Sequence, residues 1–354
     1  MKPATLDPHT QSEASAVTMR SIVQDAYGVA PEEVLRLAEI PRPAIADGEV
    51  LVRVAAASVD RGTWHVMAGL PYLMRAAGFG VRAPKATNPG RCFAGTVESA
   101  GKDVTGFAPG DEVFGTSEGS FAEYVVAKPG KLAAKPTTLT FAQAAAAPIS
   151  GVTALQAVRD RAHVTAGEKV LIIGASGGVG SFAVQIAKAF GAEVTGVCGP
   201  AKVDFVREIG ADHVVDYSRE DFAGREHRYD VILDIGGSSP LSRLRRALAP
   251  RGRLVIVGGM TDGRWFGGID RQVRAKLLSP FVGQKLGSLM SSENSKDLMA
   301  LGELIDAGKV APAIDRTYPL GEVPAAIRYL LKGKVQGKVV ITVRRSEPAH
   351  LAEE

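Results

Sequence analysis

The chain has 354 residues, 45% hydrophobic and 23% charged, with 40 glycines and only 6% aromatics; this suits a globular α/β protein long enough for two domains. A formal charge of +4 is mildly basic, and the cations are scattered apart from Arg243-Leu-Arg245-Arg246 and Arg271 to Lys276, so nothing marks a nucleic-acid partner. Two cysteines, Cys92 and Cys198, exclude a disulfide framework and a four-cysteine metal lobe, and they fit a reduced, cytoplasmic setting.

Residues 1–18 mix Pro, Thr, Ser, Gln and Ala without an apolar core, so they read as a disordered tail and not a secretory signal, with Met19 as the functional start. From Met19 to about Lys135 the texture is β. Arg20 to Gln24 is a short strand, and Glu49 to Ala55 alternates in the half-buried manner. Strands at 94–100, 111–115 and 121–126 follow, separated by turns at Gly101, Pro109-Gly110 and Pro129-Gly130, as in a partly open β-barrel. The uncharged run from Pro136 to Val158 is long enough to span a bilayer, but it is alanine-rich and broken by Pro148 and Gly151, so no membrane partner is expected.

From about Phe141 helices and strands alternate. The apolar run Val170 to Ile173 enters Gly174-Ala175-Ser176-Gly177-Gly178-Val179-Gly180, and Val179, Phe182, Ala183, Ile186 and Ala187 then recur at helical spacing. Strand, glycine turn and helix are the grammar of a dinucleotide phosphate site: glycines let the backbone approach a pyrophosphate, and the helix start stabilises the anion. The glycines fall at three-residue intervals, a variant spacing that also fits a tight turn of some other α/β protein. A second strand, Glu193 to Cys198, meets no acid before Asp204, whereas Lys202 is placed as a cation and Tyr217 ends a third strand, His213 to Tyr217. An acid there would accept from a ribose 2′-hydroxyl and a cation would meet a 2′-phosphate, so NADPH is the expected cofactor. Strands at 231–236 and 252–259 complete a parallel, doubly wound sheet, and β character returns at 337–343.

The segments Gly48-Glu-Val-Leu-Val-Arg-Val, Pro109-Gly-Asp-Glu-Val-Phe-Gly, Gly119-Ser-Phe-Ala-Glu-Tyr-Val, Gly174 to Gly180, Gly210-Ala-Asp-His-Val-Val-Asp-Tyr and Gly337-Lys-Val-Val-Ile together resemble the medium-chain dehydrogenase/reductase superfamily, in its zinc-free quinone oxidoreductase and zeta-crystallin-like branch. The resemblance implies a GroES-like substrate domain from residues 19–145 and 288–346 and a Rossmann domain at 146–287. It implies NADPH-dependent reduction of a quinone, an enone or a related activated double bond, in a cleft between the two domains. It also implies a homodimer formed through the last Rossmann strand, near Leu278 to Gln284.

In zinc-using relatives a cysteine falls where Asp60 stands, and a histidine and a glutamate fall at Arg91 and Cys92. An arginine among these residues opposes a divalent cation, so no zinc is expected. The zinc-free branch in turn carries asparagine at the Asp60 position and Thr/Ser-Asp at the Arg91-Cys92 positions. The two departures read either as a relocated Asp60–Arg91 charge pair at the cleft or as drift of its wall. Tyr72 is a candidate proton donor or a pocket wall. Thr153 is placed by the resemblance beside the nicotinamide and Lys338 near the phosphates; Gly258 and Gly259 close the fifth strand, where the ring could lie against backbone or the chain simply turn. Trp265, Phe266 and Phe281 are weighed as added apolar cleft surface, and of these only Phe281 is kept as a cofactor contact. Three functions compete: an NADPH-dependent enone or quinone reductase, a carbonyl or alcohol dehydrogenase that would normally need zinc, and a non-catalytic NADPH-binding protein.

Overall fold

The computed structural model describes residues 17–224, 228–258, 265 and 267–343; Gly259, Phe266 and the expected tail before Val17 lie outside them. Among the described residues fifteen strands run in chain order: β1 (Thr18–Gln24), β2 (Leu35–Pro41), β3 (Val50–Val59), β4 (Cys92–Ala100), β5 (Glu112–Thr116), β6 (Tyr124–Ala127), β7 (Leu132–Ala134), β8 (Lys169–Ile173), β9 (Glu193–Cys198), β10 (His213–Asp216), β11 (Tyr229–Asp234), β12 (Leu248–Ile256), β13 (Lys285–Ser288), β14 (Ile314–Pro319) and β15 (Lys338–Thr342). Six of them form a sheet in the order β10-β9-β8-β11-β12-β13, parallel throughout. This is the Rossmann order, with the switch between β8 and β11.

Alternation explains why this sheet is covered twice. Val170 and Ile172 point into one apolar cluster with Phe182, Ala183 and Ile186 of the helix Gly178–Ala189. Leu171 and Ile173 point into another, with Val197, Leu244 and Ala275. A strand buried on both faces reads as the continuous apolar run seen in the sequence.

The second sheet takes strands from both ends of the chain, in the order β14-β15-β3-β4-β5-β7 with β6 also on β3, as in a GroES-like fold. Its closing pair is antiparallel, Val339 opposite Val59 and Ile341 opposite Ala57. Separately, β1 and β2 form a two-stranded ribbon. The uncharged run becomes the helices Phe141–Ala146 and Pro148–Leu155, with Ala144 to Ala147 at 0% exposure. Small side chains let these helices lie between the sheets, and Ala56, Phe114 and Val340 of the second sheet share a core with Val170 of the first and Phe182 of the helix Gly178–Ala189. Among the described residues no helix is long and apolar enough to cross a membrane.

The expected strand at Leu278 to Gln284 is corrected. The helix Ile269–Leu278 runs on into the turn Ser279–Phe281, and the edge strand starts only at Lys285. Pro280 lacks the N–H that a ladder requires, so pairing is deferred past it.

Candidate active site

The glycine loop is shaped by close approaches that only hydrogen side chains permit. Gly174 leaves β8 at φ 86, and a Cβ there would lie 2.9 Å from Gly236 N. A Cβ on Gly180 would fall under 3.0 Å from Gly174 O and from Ala175 Cα, so the helix start folds directly onto the loop. Gly177 is the N-cap of the helix Gly178–Ala189, and no side chain caps it. The first-turn N–H groups of Gly178, Val179 and Gly180 therefore face outward as a ready anion site. Ser176 is buried and its carbonyl accepts from Gly337 N at 2.9 Å. Ala175 is fully buried with its N–H on Val197 O, so its part is to fix the turn.

Lys338 stands over this loop. It is 2% exposed, and its ammonium donates to Ser150 Oγ at 3.2 Å. Gly178 is the neighbour that makes room: a Cβ there would be 3.0 Å from Lys338 Cδ. Thr153 is buried three residues after Ser150 in the helix Pro148–Leu155, one turn in from its start and so not an N-cap.

At the end of β9, Lys202 donates to Gly333 O at 2.8 Å and Val335 O at 2.9 Å. Burial pulls the pKa of this ammonium below its ordinary value, against the attraction of Asp315. Gln336 Nε2 reaches Ala201 O, and Gly337 N reaches Ser176 O. The segment 333–338 thus ties the second sheet to both loops of the first. Tyr217 follows β10 and is exposed; a Cβ on Gly199 would sit 3.2 Å from its hydroxyl. Lys202 and Tyr217 flank the same strand end.

The expected Asp60–Arg91 pair does not form. Asp60 caps the helix Arg61–Ala68, accepting from Thr63 N at 3.0 Å while its own N–H donates to Thr63 Oγ1 at 3.3 Å. Arg91 instead meets Glu293 Oε1 at 3.1 Å, where Lys131 also approaches. Side chains at successive strand positions face opposite ways, so with Cys92 directed inward Arg91 is directed out, toward the segment after β13. Cys92, paired with Ser58 across β3 and β4, lies 3.9 Å from Asp60 Oδ2. Burial first, and Asp60 second, push its thiol up to about 12. This set does not fit a zinc ion: the Asp60 carboxylate is already engaged as a helix cap, and among the described residues no three ligating side chains are grouped.

Tyr72 is half-buried and packs edge-on against Trp265, with ring centroids 5.3 Å apart. The Arg75 guanidinium lies over both Tyr72, at 4.9 Å, and Tyr27, at 4.2 Å. Pro71 also meets the chain after β12, since a Cβ on Gly267 would be 2.9 Å from its ring. These residues make a lip that joins the two halves of the molecule. Gly258 donates to Asp234 O, and a Cβ there would collide with Ile235 O, so a backbone crossing explains this glycine.

Phe281 is a correction. It is 84% exposed and precedes β13, whereas the glycine loop follows β8. All six strands are parallel, so the two positions fall at opposite ends of the sheet. The helix Ile269–Leu278 has carried the chain back along the sheet before Phe281 is reached.

Sequence reading missed the pair Asp234–Arg271. Asp234 ends β11 at 0% exposure; its carboxylate meets Arg271 Nη2 at 2.5 Å and accepts from Gly237 N at 3.1 Å. Burial pushes this carboxyl above its ordinary pKa, and Arg271 opposes that. Arg271 also donates to Ser239 O, which holds the turn after β11 to the helix after β12. An acid closing an otherwise apolar strand, Val231-Ile-Leu-Asp234, was the signal available.

Two family profiles match the chain: the alcohol dehydrogenase GroES-like domain at residues 46–137 and the zinc-binding dehydrogenase at residues 209–341. The chain is similar to the mitochondrial NAD(P)H oxidoreductase RTN4IP1 of Mus musculus, 34% identical over 94% of this chain and 91% of that one. It is similar to the 2-methylene-furan-3-one reductase of Solanum lycopersicum, 29% identical over 87% of this chain and 76% of that one. Among solved structures, the quinone oxidoreductase from Coxiella burnetii is 30% identical, covers 93% of this chain and 100% of its own, and superposes with a TM-score of 0.79. With two sheets of the expected topology and relatives along nearly its whole length, the chain belongs to the medium-chain dehydrogenase/reductase superfamily of NAD(P)H-dependent oxidoreductases, in its quinone oxidoreductase branch.

Proposed function

We propose that the chain is an NADPH-dependent reductase that delivers hydride to a quinone or to an α,β-unsaturated carbonyl without zinc. The observation that carries this reading is Lys338, a lysine buried directly over the uncapped first turn of the helix Gly178–Ala189. An ammonium and a row of free N–H groups facing one another form a cradle for a pyrophosphate. A bound nicotinamide dinucleotide supplies the hydride, which is chemistry that no side chain provides. Gly178, Val179, Gly180 and Lys338 hold the anionic bridge. Lys202 has two of its three donors engaged, and the third serves a 2′-phosphate.

On the acceptor side, charge that develops on a carbonyl or quinone oxygen needs a donor, and we assign that role to the Tyr72 hydroxyl or Thr153. Arg91 is held by Glu293. The tomato relative's name supports an activated double bond as acceptor, and that of the Coxiella structure supports a quinone. We place the domain boundaries near 145 and 288, where the chain passes between the sheets, and a homodimer on the free edge of β13. The buried thiols Cys92 and Cys198 support a reducing compartment, and we keep the cytoplasm as its assignment; the mouse relative's name places that protein in mitochondria.

The test is nucleotide oxidation followed by absorbance with 1,2-naphthoquinone, 9,10-phenanthrenequinone and an alkyl vinyl ketone, using NADPH and NADH in parallel with and without EDTA. Turnover faster with NADPH and indifferent to EDTA is the expected result. Turnover abolished by the chelator would overturn the zinc-free reading. Tight NADPH binding without turnover of any acceptor would overturn the reductase reading.

A further inference from the structure

We propose that the substrate of this cleft carries an anionic group, a phosphate or a carboxylate, at the end remote from its reducible bond. The inference rests on the reductase reading and goes further by assigning the substrate a charge. Between Asp60 and Glu98 the chain has no acidic residue, yet it has five cations: Arg61, Arg75, Arg82, Lys85 and Arg91. Of the chain's 42 basic and 38 acidic residues, those outside this segment number 37 and 38, a net of −1. The net positive charge of the protein therefore comes from this one stretch.

That stretch reaches the lip of the candidate active site through Tyr72 on Trp265, Pro71 against Gly267 and Arg75 over Tyr72. Elsewhere some exposed cations are compensated, since Arg20, Arg36, Lys102 and Arg243 each meet a carboxylate at 3.2 Å or less, while others, such as Lys128 and Lys309, meet none among the described residues. Along the same stretch, Arg61, Arg82 and Lys85 are exposed and meet no carboxylate among the described residues. Arg75 is held by ring faces and by the carbonyls of Ala68 and Gly69, none of which cancels its charge. Only Arg91 has an acidic partner, Glu293. An aromatic wall with uncompensated positive charge at and beyond it suits an amphiphile whose apolar, reducible end lies against Tyr72 and Trp265. A field of this kind raises the encounter rate of anions and is screened by salt.

The experiment compares three vinyl ketones of equal chain length ending in hydroxyl, carboxylate or phosphate, reduced by the full chain at low and high ionic strength. At low salt the anionic acceptors are expected to show kcat/KM about tenfold above that of the hydroxyl acceptor. The ratio should fall toward one as salt rises, and the larger of the two anionic values identifies the anion. The double variant Arg82→Glu/Lys85→Glu should remove the preference. Arg82→Gln/Lys85→Gln, checked for an unchanged melting temperature, should reduce it without charge reversal. Equal kcat/KM for all three acceptors in the parent at low salt overturns the inference and leaves the reductase reading standing. Equal values together with sedimentation on phosphatidylcholine vesicles only when phosphatidylglycerol is present also overturn it, and would assign the lip to a membrane surface. No turnover of any acceptor with either nucleotide overturns the reductase reading, and the inference with it.

Discussion

The two sides of the cleft are built by different means. On the six-stranded side the loop is shaped by backbone: Gly174 and Gly180 leave space that the main chain itself fills. On the seven-stranded side it is made of side chains that meet partners far along the sequence, such as Arg91 with Glu293 and Tyr72 with Trp265. Backbone geometry tolerates no substituent, so damage there should be large and blind to the acceptor. Side-chain contacts can be exchanged, so changes there should be smaller and selective.

Gly180→Ala is expected to have the largest effect. Its Cβ would press on Gly174 O and Ala175 Cα, neither of which can move without opening the loop. Overpacking of this kind costs about 1–3 kcal/mol of stability, and calorimetric titration should find no measurable binding of NADPH or NADH. Gly48→Ala, where a Cβ meets nothing within 4 Å, is the control and should bind like the parent. Equal binding in both variants would break the backbone half of the comparison.

Lys338→Met comes next. It keeps a stem of similar shape beside Gly178 and deletes the buried charge. Charge-assisted hydrogen bonds contribute about 1.5–3 kcal/mol, so both nucleotides should weaken roughly 10- to 100-fold and to the same extent. Stability should hold or rise, because an unpaired buried ammonium is costly. Lys202→Ala is expected to act on one nucleotide alone: NADPH should lose about tenfold in affinity, near 1.4 kcal/mol, while NADH stays within twofold. Equal losses for the two nucleotides would mean that Lys202 acts through Gly333 and Val335 rather than on a 2′-phosphate.

Legibility in the sequence follows the same division. The strand–loop–helix unit was readable because its determinants lie within twenty residues, and β9 begins and ends where its apolar pattern does. The position of Lys202 was readable, but its commitment to two carbonyls was not, since Gly333 and Val335 carry no signal of their own. The Asp60–Arg91 pairing failed because chain proximity says nothing about which face a strand residue takes, and Glu293 lies some two hundred residues on. Phe281 was misplaced for want of the helix Ile269–Leu278, which reverses the chain across the sheet before that residue is reached. Asp234 and Arg271 each looked ordinary alone, and only the fold brings them together.

The smallest expected effect separates a cap from a catalytic group. Asparagine caps helices as well as aspartate does, so Asp60→Asn should keep the hydrogen bond to Thr63 N and melt within about 0.5 kcal/mol of the parent. Asp60→Ala should cost about 1 kcal/mol. Because Asp60 only adds to the rise that burial causes in the Cys92 thiol, the neutral variant should lower that pKa from about 12 and leave it above the ordinary thiol value. A thiol held up in the fold contributes stability that is complete below its unfolded pKa, near 8.5, and is lost as pH rises toward the folded one. The parent should therefore lose stability between about pH 9 and 12 more steeply than Cys92→Ala, and Asp60→Asn should lose it over a narrower span; denaturant melts across that range read this directly. Turnover of Asp60→Asn within twofold of the parent would leave Asp60 a structural residue. A larger change at unaltered stability would return it to the reaction, without Arg91 as its partner.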